Sequence, residues 1–140
     1  MIFQSELQAW CKKENIQLCV VFGSQATGKT HPQSDVDLAI WGPPSSDASG
    51  RLDGRRRLRW QGELEDIVGT AVSLVWVTID LNPVLGFEIV RDGVPIYEAE
   101  PNLWAERSLQ LWHAYNDSLP FRHAARESLR QFAEEVRRGT

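Results

Sequence analysis

The spacing of apolar residues changes several times along the chain, and each change marks an element. Phe3, Leu7, Trp10 and Cys11 recur at near-helical spacing, which predicts an amphipathic helix over residues 3–15. Residues 17–22 (Gln17-Leu18-Cys19-Val20-Val21-Phe22) are apolar and β-branched and read as a strand. From Asp35 to Trp41 charged and apolar residues alternate, the pattern of a second strand. Residues 42–50 are dense in Gly, Pro, Ser and Asp and form a loop. A helix is expected over 51–68, weakened by Gly54 and Gly62 and stopped by Gly69. A mostly buried strand over 71–79, a short helix over 83–90 and a last strand over 94–97 follow. Helices over 103–115 and 123–138, broken at Ser118-Leu119-Pro120, complete the chain. Leu109, Trp112 and Tyr115, then Leu129, Phe132 and Val136, form helical stripes expected to lie in the core. Packing between protomers or onto a partner is the alternative. The sum is an α+β domain: a small mixed sheet with flanking helices and C-terminal helices.

Residues 20–30 carry the chemistry and admit two readings. Gly23 to Thr30 satisfies the phosphate-loop pattern G-x-x-x-x-G-K-[ST], with Lys29 and Thr30 at its end. That reading needs the loop to run straight into a helix, yet Thr30 is followed by His31-Pro32, and the next segment is a strand. In the other reading the chemistry lies at Asp35 and Asp37. Placed at i and i+2 on a strand, their carboxylates point the same way, roughly 7 Å apart at the backbone. Such a pair suits a cation between them, and Mg²⁺ is commonly held by one or two carboxylates plus substrate phosphates. Gly23 offers close backbone approach to a phosphate, and Ser24 adds a hydroxyl and the start of a short helical turn.

Gly23-Ser24-Gln25-Ala26-Thr27-Gly28 followed by Ser34-Asp35-Val36-Asp37-Leu38 resembles the G-S-x-A-x-G and S-D-x-D-L signature of the minimal nucleotidyltransferases (MNT) of the polymerase-beta-like superfamily. Leu64 to Gly69 is similar to that family's helix end, and Phe87 to Glu98 to its closing segment. The resemblance implies a nucleotidyltransferase domain over 1–98, with 99–140 a helical extension packed on it. It implies Asp35 and Asp37 as catalytic and metal-holding residues and Gly23, Ser24 and Ser34 as nucleotide-binding residues, with Mg²⁺ and ATP as cofactors. Ser34 also reads as a cap of the turn before the strand. Members commonly act as antitoxins paired with HEPN-domain RNase toxins. The implied function is therefore neutralisation of such a toxin by AMP transfer to a hydroxyl such as tyrosine. One residue departs: Ser73 stands where the family carries a third acid, and a serine is no base at neutral pH. Asp80 lies seven residues on, about 23 Å along an extended strand, and is a poor substitute. Ser73 keeps open an antitoxin acting by binding alone. A small P-loop ATPase, with Val77-Thr78-Ile79-Asp80 as its second motif, is the third reading.

Composition narrows the setting. At 140 residues, 42% hydrophobic and 24% charged, the chain has the size and balance of one globular domain. No apolar run approaches a membrane span and no signal peptide is evident, so neither membrane nor secretion is expected. Cys11 and Cys19 lack metal or disulfide spacing, which fits a reduced cytoplasm. A net charge of −4 argues against direct nucleic-acid binding. The arginines at 51, 55, 56, 57 and 59 form either a solvated helix face or a face for triphosphate, an acidic partner or RNA. His31, His113 and His123 show no triad or metal spacing. Most of the six tryptophans are expected in the core, with Trp104 and Trp112 as alternative partner anchors. Assembly with itself or with another chain stays open.

Overall fold

In a computed structural model, which describes residues 3–23, 35–42 and 54–139, the sheet is built around β1 (Leu18–Phe22), all of whose residues are buried. A strand covered on both faces and paired on both edges is apolar throughout. β1 pairs antiparallel with β2 (Val36–Trp41) on one side and with β4 (Val94–Glu98) on the other. β3 (Val72–Trp76) lies parallel to β2, giving the order β3-β2-β1-β4. Parallel neighbours need a crossover, which α2 (Gly54–Val68) supplies. Pro95 is tolerated because β4 is an edge strand.

Strand alternation then sorts the core. Val36, Leu38 and Ile40 of β2 join Cys19 and Val21 on one face, closed by Leu7, Trp10 and Cys11 of α1 (Gln4–Lys13) and by Trp60 and Leu64 of α2. Ala39 and Trp41 join Leu18, Val20 and Phe22 on the other, closed by Ile89 of α3 (Pro83–Asp92) and Leu103 of α4 (Leu103–Asp117). This is the expected α+β architecture with a small mixed sheet and flanking helices. Cys11 and Cys19 are free thiols, buried side by side. None of the described helices is long and apolar enough to cross a membrane.

Two boundaries and one burial expectation differ from the sequence reading. β3 stops at Trp76 instead of continuing to residue 79, because Leu81 N–H bonds to Thr78 C=O at 3.1 Å in a turn that leaves Ile79 exposed. The turn delivers Asn82, whose side chain accepts from Val84 N–H at 2.9 Å and caps α3, with Pro83 at its start. The expected break around residues 118–120 is a bend. Ser118 keeps helical backbone angles, and Pro120 sits in the first turn of α5 (Leu119–Arg138), where it removes no needed donor. The largest correction concerns the stripe Leu129, Phe132 and Val136. None of α5 is buried, so this stripe is not core. The α4 stripe is also not core: Leu109 and Trp112 are exposed and Tyr115 is half-buried, so Leu103 is the one residue of α4 that is buried.

Candidate active site

Asp37 stands near the start of β2, opposite Phe22 of β1 and Ser73 of β3. Val36 between Asp35 and Asp37 is buried under α1 and α2, so both carboxylates share the α3 side. β1 ends beside them. Gly23 has φ +73°, a left-handed backbone that glycine enters without steric cost, and a Cβ built there would collide with the Asp37 carboxylate. Glycine is thus required twice, for the turn and for the close approach. The structure therefore brings together Gly23, Asp35 and Asp37. Ser24 and Ser34, the other expected nucleotide-binding residues, lie outside the described residues, as do Lys29, Thr30 and His31.

Electrostatics mark Asp37 as the unusual carboxyl of this corner. Burial raises its pKa first, and the neighbouring Asp35 charge raises it further. A hydrogen bond from the Ser73 hydroxyl works the other way, and Glu88 adds a smaller upward push. Glu88 has no signal in the sequence pattern. It reaches the site because its neighbour Ile89 anchors α3 on this face of the sheet. A carboxyl pushed towards its neutral form by burial and by two like charges is one that a cation would relieve. Among the described residues no cluster of three or more His, Cys, Asp or Glu could hold a metal unaided. The donor set is thus a pair of hard oxygens, which fits Mg²⁺ where substrate phosphates complete the shell.

The arginine cluster lies on the opposite side of the sheet, because α2 buries Trp60 and Leu64 against Val36, Leu38 and Ile40. Its members are engaged there. Arg59 forms a two-point pair with Glu14 (3.0 and 3.3 Å), Arg57 donates to Leu74 C=O at 3.2 Å, and Arg56 lies 5.4 Å from the Trp60 ring centroid. The phosphate-facing alternative is corrected for these three; Arg51 lies outside the described residues. The P-loop alternative also loses its frame. β1 is antiparallel to both neighbours, and Asp80 sits exposed in the turn beyond β3.

A family model described as polymerase beta, nucleotidyltransferase matches residues 5–102. A comparison with curated proteins finds no match. Among solved structures, a toxin–antitoxin crystal structure with AMP-PNP superposes with a TM-score of 0.75 at 20% identity, covering 90% of this chain and 97% of that one. The toxin–antitoxin MntA–HepT gives a TM-score of 0.70 at 18% identity, covering 91% and 97%. A tri-AMPylated Shewanella oneidensis HEPN toxin in complex with an MNT antitoxin gives 0.70 at 18%, covering 91% and 96%. At these identities the likeness is one of fold.

Proposed function

We propose, for a chain that belongs to the polymerase-beta nucleotidyltransferase family, that it is an antitoxin-type minimal nucleotidyltransferase. It binds Mg·ATP at Gly23, Asp35 and Asp37, with Ser24 and Ser34 completing the nucleotide site, and transfers AMP to a hydroxyl such as tyrosine of an HEPN-domain toxin. The observation that carries this reading is the carboxylate pair on one face of β2, pressed against the glycine that ends β1. Asp35 and Asp37 would hold the metal, which supplies charge neutralisation at the phosphates. Ser73 keeps Asp37 oriented through its hydrogen bond. The toxin hydroxyl oxygen forms a bond to the α-phosphorus while the bond from that phosphorus to the bridging oxygen breaks and pyrophosphate leaves. The hydroxyl proton would pass to a carboxylate of this corner, and Glu88 is the described acid outside the pair that is close enough to act on Asp37. The MNT domain spans 1–98, with 99–140 its helical extension.

Ser73 favours a second reading. In it the same corner binds nucleotide without turnover, and the protein neutralises its toxin by binding alone. One experiment separates the two. The protein is incubated with Mg²⁺, an HEPN toxin, and ATP labelled at the α or the γ position. α-Label retained on the toxin, lost in Asp35→Asn, supports transfer. Bound ATP without retained label supports the binding-only reading. Release of γ-phosphate alone would sink both.

A further inference from the structure

The function proposed above leaves the last helix unexplained. α5 has 20 residues, about 30 Å of helix, and none of them is buried. Its sequence is nevertheless amphipathic. Phe121, Ala125, Leu129, Phe132 and Val136 follow each other at spacings of four or three and share one face. Phe121, Leu129 and Phe132 are 78, 67 and 64% exposed. A helix standing off its domain draws little stability from propensity alone, and a contiguous apolar stripe marks an interaction surface.

The charges beside the stripe choose between occupants. By helical periodicity Arg126, Arg130 and Arg137 follow one flank, whereas Ser128 and Glu135 follow the other. In an antiparallel pair of two copies, each arginine flank would face its own counterpart, a like-charge arrangement that helix pairs avoid. A parallel pair would crowd both domains at the Leu119 end. A different helix with carboxylates on the matching flank meets Arg126 and Arg130 with opposite charge. Arg130 pairs with Glu127 at 2.6 Å on the side of the helix away from the stripe, so Arg126 is the cation that lies nearer the apolar face and carries more of the flank's attraction.

We propose that α5 is a docking helix for a different protein, with Leu129 and Phe132 receiving an amphipathic helix whose flank facing Arg126 and Arg130 is acidic. This rests on the antitoxin reading for the partner's role and names the surface by which that partner is held. Docking itself requires no nucleotide.

The test uses the full chain and two synthetic helical peptides of about 20 residues sharing a leucine stripe, one flanked by Glu and the other by Lys. Fluorescence anisotropy is measured at low and high salt. The Glu peptide is expected to bind about tenfold tighter than the Lys peptide, with the advantage shrinking in salt. Phe132→Glu is expected to abolish binding, and Arg126→Glu with Arg130→Glu to reverse the preference, with helix content unchanged by circular dichroism. No binding of the Glu peptide, equal binding of both peptides, or insensitivity to Phe132→Glu would overturn the proposal. So would a dimer of the full chain, seen by light scattering, that Phe132→Glu dissolves. Mg·ATP binding is read on the same samples. Peptide binding without ATP binding fails the nucleotidyltransferase reading alone, and the reverse fails the docking helix alone.

Discussion

The two faces of the sheet are made by alternate residues of the same strands, yet they are finished in opposite ways. Under α1 and α2 the packing is closed. Trp60 is fully buried, with Trp10 edge-on at 5.2 Å and Trp76 tilted against it at 5.5 Å. The ionic groups at its rim are paired, Glu14 with Arg59 and Glu63 with the Trp10 indole N–H at 2.7 Å. Under α3 the same β2 strand exposes Asp35 and half-buries Asp37 with no cation among the groups that shift it. Asp37 therefore works against the folded state once ionised, while the other face stabilises it. A charge left in that condition is what a binding site for a cation and phosphates needs. The contrast sets a satisfied, tightly packed face against one that holds a perturbed carboxyl, the mark of a candidate site.

Substitutions on each face should separate these properties. Asp37→Asn is expected to lower AMP transfer by roughly three orders of magnitude, the several kcal/mol that a positioned metal contributes, while thermal unfolding is unchanged or shifted upward. A variant that unfolds instead would erase the division between the faces. Trp60→Ala should do the converse. Emptying that volume costs about 3–5 kcal/mol of unfolding free energy, read from the urea midpoint, with nucleotide affinity kept at temperatures where the variant is folded. Arg59→Ala should cost less, about 1–2 kcal/mol, because it strips a partner from a nearly buried carboxylate while the guanidinium is itself half-exposed. If Arg59→Ala instead weakened ATP binding, the arginine helix would belong to the site after all.

Much of this division could be read in advance, for a physical reason. Period-two alternation from Asp35 to Trp41 states which residues share a face, and the glycine-serine motif states which strand end meets them. Packing direction was not legible. Nothing in the spacing of Arg55, Arg56, Arg57 and Arg59 says which side of the sheet their helix covers; the burial of Trp60 and Leu64 decides it. Glu88 was invisible for a related reason, since its place depends on how α3 lands after the turn at residues 78–81. The stripe on α5 shows the limit of periodicity itself. An apolar face reports that a helix is to be covered, and the same pattern serves for a core and for a partner.

The finest test of the comparison is its dependence on pH. Asp37 has a native pKa raised above the ordinary 3.8, first by burial and then by Asp35. The native state therefore holds this proton more tightly than the unfolded chain does. Stability falls with rising pH wherever the native state binds more protons. The favourable contribution is complete below the unfolded pKa and is lost as pH rises through the native one. Urea midpoints of the wild type and of Asp37→Asn, followed upward through the acidic range without metal, should diverge in favour of the variant and then run parallel. Mg²⁺ should act in the opposite sense on the wild type alone, since a cation favours the ionised carboxylate and gains affinity as the proton leaves. Curves that stay parallel throughout would mean that the carboxylate is as well solvated as the exposed acids elsewhere. The α3 face would then hold no electrostatic strain for a cation to relieve.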